Sequence, residues 1–392
     1  MKLNIAMICF NIEGRGTYQR AYNLAVELTK LGHQVTILAA NITGSSVIEK
    51  SVDSIRIVTF PRLFNKLFFS GWGLYEIMRR ILWLRKQRFD LVHSFELRPT
   101  CLYPALVLRK RGSVLLTDWA DWFGRGGSVE ERPNYLIRSF LRPIETYYEE
   151  KFRTKAKGTT VICTALYHKA IELGVKPHDL LYLNNGFNNP ELHPIGQALA
   201  RNKIGISADD FLVGYVGSGF SKDMELMYES FEIISKKIPC IKLLHIGRSN
   251  YFVSPHSQII QTGPVSMEML NIYLSACNIF WLPLSNINAN IGRFPIKLSD
   301  YLTIGRPTVS TAVGDLPLIF EKYDIGLLAA ANPVNIAEKV CTLYNNQSLL
   351  FNISKNALTL SNSSDNSWQA RAKELEQFYY RMIGQPGTGV VD

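Results

Sequence analysis

At 392 residues the chain is too long for one ordinary core and suits two domains of roughly 180 residues each. It is 47% hydrophobic and 19% charged, as in an ordinary folded protein, and no run of about 18 apolar residues offers a membrane-spanning helix. The net charge is +10, and residues 61–111 carry 11 Lys/Arg against 3 Asp/Glu.

The apolar start leads into a glycine loop with no small-residue cleavage site, which argues against a secretion signal. The six cysteines (Cys9, Cys101, Cys163, Cys240, Cys277 and Cys341) are far apart and form no CxxC pair. That spacing excludes a disulfide framework or structural zinc and points to a reducing cytoplasm.

In chain order, residues 3–9 read as a buried strand and residues 17–31 as a helix with apolar positions at Ala21, Leu24, Ala25 and Leu28. Gly32 stops that helix. Strands follow at 34–40 and 55–60, then a helical region, then short apolar strands at 91–95, 113–117, 160–163 and 180–183. Within residues 60–88, basic residues alternate with large apolar ones such as Leu63, Phe64, Leu67, Trp72, Leu74, Ile81 and Trp83. This is either an amphipathic segment lying on an anionic membrane surface or a core-packed helix with a solvated basic face. The aromatic content argues against nucleic acid as the partner.

After the turn-rich stretch 184–190 the pattern restarts. Residues 211–216, 241–246, 259–260, 279–282 and 308–311 read as strands, and 224–234, 267–276 and 294–304 as helices. Residues 368–382 form a last amphipathic helix before a loose tail at 384–392. Short apolar strands alternating with helices predict parallel sheets covered on both faces. The expected fold is two Rossmann-like, doubly wound α/β domains facing each other across a cleft. Their expected bounds are 1–185 and 186–366, with helix 367–383 crossing back to the N-terminal domain.

The first loop, EGRGTYQRAYNLA at residues 13–25, resembles a dinucleotide grip only in part. Gly14 and Gly16 are present, but Gln19 stands where the third glycine belongs, and the second strand ends at Asn41 without a carboxylate. A dehydrogenase is therefore disfavoured. What remains is either an anion-binding loop at a helix start or a tight turn that needs glycine.

The most specific stretch is NIGRFPIKLSDYLTIGRPTVS at residues 290–310. Pro295 suits a first helical turn, Lys297 and Asp300 share one helix face, and Gly305 ends the helix. Arg293 and Lys297 at a helix start can neutralise a diphosphate, and Asp300 can accept hydrogen bonds from a ribose diol.

This stretch resembles the donor-site helix of retaining glycosyltransferases of the family 4 kind, which have the GT-B fold. Asp300 stands at the position of the family's second glutamate, while Gly292 replaces the first. Phe89-Asp-Leu-Val-His93, Asn184-Asn-Gly-Phe-Asn188, the Gly217–Lys222 loop, Leu244-His-Ile-Gly247 and Gly263-Pro-Val265 resemble further family segments along the chain. Ala120 stands where many members have a histidine, between Asp118 and Asp121 in an acidic, Trp-rich loop. That loop reads equally as a sugar-binding surface and as a core-anchoring turn.

The resemblance implies an enzyme that moves a sugar from a nucleotide-diphosphate sugar to a glycan or lipid-linked acceptor with retention. No metal or other cofactor is expected. The candidate catalytic set is Asp118, Asp121, Arg293 and Lys297. Donor-binding candidates are Gly14, Gly16, Gly219, Lys222, Gly247, Pro264 and Val265 with Arg293, Lys297 and Asp300. Glu96, Arg98, Trp119 and Trp122 are the acceptor-side candidates. A catalytically silent nucleotide- or partner-binding protein and a sugar-nucleotide epimerase are the alternatives. The expected location is cytoplasmic, peripheral to a membrane.

Overall fold

A computed structural model describes residues 1–42, 46–62, 70–248 and 256–384. The segment 63–69 of the expected membrane-facing stretch and the tail from 385 onward lie outside the described residues.

The first compact unit comprises Met1–Asn185 and Trp368–Asp392. Its elements run β1 (Asn4–Ile12), α1 (Thr17–Lys30), β2 (Gln34–Asn41), β3 (Ile48–Val52), β4 (Ile55–Pro61), α2 (Leu74–Leu84), β5 (Leu91–Phe95), α3 (Pro99–Lys110) and β6 (Val114–Trp119). They continue through α4 (Tyr135–Lys151), β7 (Gly158–Val161), α5 (Thr164–Glu172) and β8 (Leu180–Tyr182). The eight strands are ordered β3-β4-β2-β1-β5-β6-β7-β8. All pair in parallel except β3, which runs antiparallel to β4 at the sheet edge.

The second unit, Gly186–Ser367, holds α6 (Gln197–Ile204), β9 (Phe211–Val216), α7 (Ser221–Lys237), β10 (Ile241–Ile246), β11 (Ile259–Gly263), α8 (Met267–Ala276) and β12 (Ile279–Leu282). It continues with α9 (Asn288–Ile291), α10 (Lys297–Ile304), β13 (Thr308–Thr311), α11 (Leu316–Tyr323), β14 (Gly326–Ala329), α12 (Pro333–Asn345) and α13 (Gln347–Ser361). Its six strands are parallel in the order β11-β10-β9-β12-β13-β14. Central strands on both sheets are almost wholly buried, which is why they read as continuous apolar runs. The last helix, α14 (Trp368–Ile383), belongs to the first unit and packs on α1. His33 Nδ1 accepts the Leu3 amide at 3.2 Å, so its Nε2 donates to Glu376 of α14 at 2.8 Å. Fold class and returning helix are as expected from the sequence.

Helix α2 differs from the expected basic-faced helix. Arg80 is fully buried and ion-paired to Glu76 at 2.6 Å, and Ile77 and Leu84 face the core. The exposed stripe is apolar instead: Leu74, Met78 and Leu82, four residues apart, are 74%, 57% and 51% exposed.

Candidate functional site

In the second sheet β9 and β12 are neighbours, and the chain winds outward from them in opposite directions. Such a switch point opens a crevice beyond the carboxyl ends of the strands. The loops there are built on glycines. Gly217, Gly247 and Gly263 have φ of +91°, +122° and +67°. A Cβ on Gly247 would come within 3.2 Å of the Gly217 backbone, and the positive φ at both turns strains any residue that carries a side chain.

His245 ties this floor together. Its Nε2 lies 2.8 Å from the Gly217 carbonyl, which can only accept, so Nδ1 takes a hydrogen bond from the Tyr228 hydroxyl at 2.9 Å. Burial keeps the imidazole below its ordinary pKa.

Helix α10 is locked at the end of β9. The Tyr301 ring stacks on Phe280 at 4.2 Å and its hydroxyl accepts the Val216 amide at 3.0 Å. Gly305, at φ +73°, closes the helix in the left-handed conformation. The helix begins at Lys297, so Pro295 precedes the first turn rather than sitting in it. Lys297 projects onto the Tyr215 ring with Nζ 4.2 Å from the centroid. Burial first, and Arg293 second, bring its pKa down to about 7, against Asp223 and Asp300. Burial pushes Asp300 up to about 6, although Asn189 Nδ2 donates to it at 2.7 Å. The Arg293 guanidinium lies over Phe220 at 4.8 Å and pairs with Asp223 at 3.3 Å.

Gly219, exposed Lys222 in the first turn of α7, exposed Pro264 and half-buried Val265 stand on loops of the same strand ends. A Cβ on Gly219 would meet the Asp223 side chain at 2.9 Å. The structure thus gathers Arg293, Lys297, Asp300 and the glycine turns on one unit. Half-buried cations attract a polyanion more strongly than in bulk water, and an arriving anion favours the charged form of Lys297. Asp223, with which Arg293 pairs, escaped sequence reasoning because an acid in a first helical turn looks like an ordinary dipole partner.

On the first unit, Gly14 and Gly16 are exposed with φ of +78° and +57°. Asn11 accepts the Thr17 amide at 3.1 Å, and a Cβ on Gly16 would strike its side chain at 2.6 Å. The turn therefore needs glycine for its own geometry.

Three of the expected site residues are interior. Asp118, assigned above to the catalytic set, is 0% exposed and is gripped by Arg20 Nε and Nη2 at 3.0 Å and by the Thr160 hydroxyl. Burial tends to raise its pKa, but Arg20 outweighs this and holds it below the usual carboxylate range. Trp119 is also fully buried; Arg153 covers its ring at 3.8 Å, and its indole N–H donates to Glu149 at 3.0 Å. Glu96, 1% exposed at φ +71°, accepts the Ala120 and Asp121 amides at 2.7 and 3.1 Å and lies 3.4 Å from Arg153. Burial pushes its pKa up to about 8, against Arg153.

Asp118 therefore leaves the catalytic set, and Trp119 and Glu96 leave the acceptor surface. Their partners Arg20 and Arg153 come from distant segments, which motif spacing does not show. Arg98 is largely enclosed between Phe10 and Phe123, at 4.6 and 4.4 Å, and donates to Ser70 O at 2.6 Å. Glu149 accepts the Phe123 and Gly124 amides, both at 2.7 Å, and Thr146 accepts that of Arg125 at 2.8 Å. The acidic loop is thus a braced turn that leaves Asp121 and Trp122 half-buried at its rim.

The family profile for Glycosyltransferase Family 4 matches residues 15–189, and that for Glycosyl transferases group 1 matches residues 210–346. No curated protein sequence matches the chain. Sucrose-phosphate synthase from Thermosynechococcus elongatus has a similar structure at 17% identity, with a TM-score of 0.73 over 97% of this chain and 99% of that one. WaaG, a glycosyltransferase involved in lipopolysaccharide biosynthesis, is 15% identical with a TM-score of 0.70 over 95% and 99%. Anabaena HepE, in complex with UDP-glucose, is 12% identical with a TM-score of 0.68 over 97% and 100%. With a family 4 domain followed by a group 1 domain, each on its own parallel sheet, the chain belongs to the GT-B glycosyltransferases.

Proposed function

We propose that the enzyme transfers a sugar from a nucleotide-diphosphate sugar to a glycan or lipid-linked acceptor with retention of configuration. The observation that carries this reading is the setting of Arg293, Lys297 and Asp300 around the glycine turns at the β9–β12 switch point. The fold likeness to HepE, whose structures hold UDP-glucose and UDP, supports a nucleotide-sugar donor.

In this reading Lys297, Arg293 and Lys222 stabilise the departing diphosphate, where negative charge develops in the transition state. Asp300 accepts from the ribose, and the turns at Gly219, Gly247, Pro264 and Val265 border the nucleotide. On the first unit, the turn at Gly14 and Gly16 is proposed as an anion-binding loop, and Asp121 and Trp122 as contacts for sugar hydroxyls and ring faces. The leaving phosphate oxygen takes the acceptor's proton, so the chemistry needs neither a carboxylate at Gly292 nor a histidine at Ala120.

Those two positions favour one second reading, a silent nucleotide-binding protein. Incubation with UDP-, GDP-, ADP- and dTDP-sugars and an acceptor extract, followed by NMR of the anomeric proton, separates the cases. A retained glycoside is expected. An inverted product overturns the mechanism, binding without turnover supports the silent protein, and isomerised donor without transfer indicates an epimerase.

We also infer that the first unit rests on an anionic membrane surface through residues 60–88. The exposed stripe Leu74, Met78 and Leu82 supports this, as do exposed Arg85, Lys86 and Arg88 beyond it. Among the described residues no helix is long and apolar enough to cross a membrane. Replacing the three stripe residues with serine is expected to abolish co-sedimentation with phosphatidylserine vesicles at low salt. Unchanged binding by that variant would remove the stripe from the account.

A further inference from the structure

We propose that Asp223 is the positioning residue that turns Arg293 into a diphosphate-binding group; this rests on the donor reading above. Asp223 is the third residue of α7 and is 1% exposed. It staples the two lips of the switch-point crevice. From the segment after β12, its Oδ1 accepts the Ser285 amide at 2.8 Å, the Ser285 hydroxyl at 2.6 Å and Asn290 Nδ2 at 2.8 Å. Its Oδ2 accepts the Phe220 amide, from the loop after β9, at 3.2 Å and Arg293 Nη2 at 3.3 Å. Asn290 also donates to the Ser285 carbonyl at 2.8 Å, which stiffens the same lip. One buried carboxylate thus receives five donors, and the guanidinium is held between it and the Phe220 ring.

Charge and geometry predict opposite outcomes here. A carboxylate beside an anion site repels the anion, so by charge alone its removal tightens diphosphate binding. If Asp223 positions Arg293, removal weakens it. Asp223→Asn makes the contrast sharp. The side with three close donors keeps the oxygen, so the amide nitrogen meets the Phe220 amide and Arg293, donor against donor. Arg293 is then released from its place.

The test is calorimetric binding of UDP, GDP, ADP and dTDP, and of the nucleoside of whichever binds, to wild type, Asp223→Asn, Arg293→Ala and the double variant. Asp223→Asn is expected to weaken the diphosphate by about 10- to 100-fold, by analogy with residues that orient metal ligands. Nucleoside affinity is expected to stay unchanged, and the double variant to match Arg293→Ala. Equal or tighter diphosphate binding, an equal loss for the nucleoside, or full additivity would overturn the proposal. Failure of wild type to bind any of the four nucleotides would instead defeat the donor reading, and this proposal with it. If Asp223→Asn does not fold, Arg293→Lys replaces it in the test because it keeps the charge and loses the planar geometry. Wild-type diphosphate affinity in that variant would also overturn the proposal.

Discussion

Replacing Lys297 with methionine is expected to slow sugar transfer on the order of 10²-fold while leaving the fold intact, the scale of losing one preorganised contact to developing negative charge. The side chain is half-buried against Tyr215 rather than part of the core, so methionine can fill much of its volume. The pH dependence gives the effect a second signature. The pKa of Lys297 is near 7 in the free protein, so its charged form fades as pH rises through that value. Donor affinity of the wild type should therefore fall between about pH 6 and pH 8, and binding at the upper end should take up a proton. The methionine variant should lose both trends, which calorimetry in buffers of different ionisation heat measures. The sign for stability is the reverse. The unfolded chain keeps this proton up to the ordinary value of 10.5, so between about 7 and 10.5 the folded state binds fewer protons and Lys297 adds to stability as pH rises.

Asp118→Ala is expected to destabilise the first unit by about 3–5 kcal/mol, because it strands the buried guanidinium of Arg20. The two side chains are 0% and 2% exposed, so water cannot replace the lost partner. The same substitution at a solvent-facing catalytic carboxylate would abolish activity and leave stability nearly unchanged. Urea titration separates the two, and retention of wild-type stability would return Asp118 to the list of site residues. Arg20 holds the Asp118 pKa below the ordinary carboxylate range. This pair therefore contributes stability above that range and loses it as pH falls through the depressed value. Nearby His93 works in the opposite environment. Burial holds its pKa down to about 4, so it stays neutral between Thr160 and Tyr379 of α14.

The parts of the fold that rest on local pattern were legible in the sequence. The central strands β5, β9, β10 and β12 fall where the short apolar runs predict, because parallel strands buried on both faces leave an unbroken apolar signature. Strand β3, IEKSV, was missed because it is exposed along its whole length and has no alternation to read. Local pattern likewise assigns no span to helices α3, α4, α5, α6, α9, α11, α12 and α13 or to strand β14.

In the site, Arg293, Lys297 and Asp300 were visible because one short segment carries all three. Asp223, Glu96 and Asp118 share one obstacle to sequence reading: each pairs with an arginine 57 to 98 residues away in sequence. Arg293, Arg153 and Arg20 reach those carboxylates only once the sheets have formed. The basic segment around α2 shows the same limit, since only the fold reveals that Arg80 points inward and Leu74 outward.

In the donor reading, the carboxyl end of the second sheet holds a nucleotide-diphosphate sugar through Arg293, Lys297 and Asp300. Thermal unfolding of wild type and Asp300→Ala across a panel of UDP-, GDP-, ADP- and dTDP-sugars tests it most directly, because a ligand that binds only the native state raises the transition temperature. A concentration-dependent rise is expected in wild type for at least one donor. The variant should unfold within a degree or so of the unliganded wild type, with the donor shift sharply reduced. A donor shift of equal size in both proteins, or no shift with any nucleotide sugar, would contradict the donor reading.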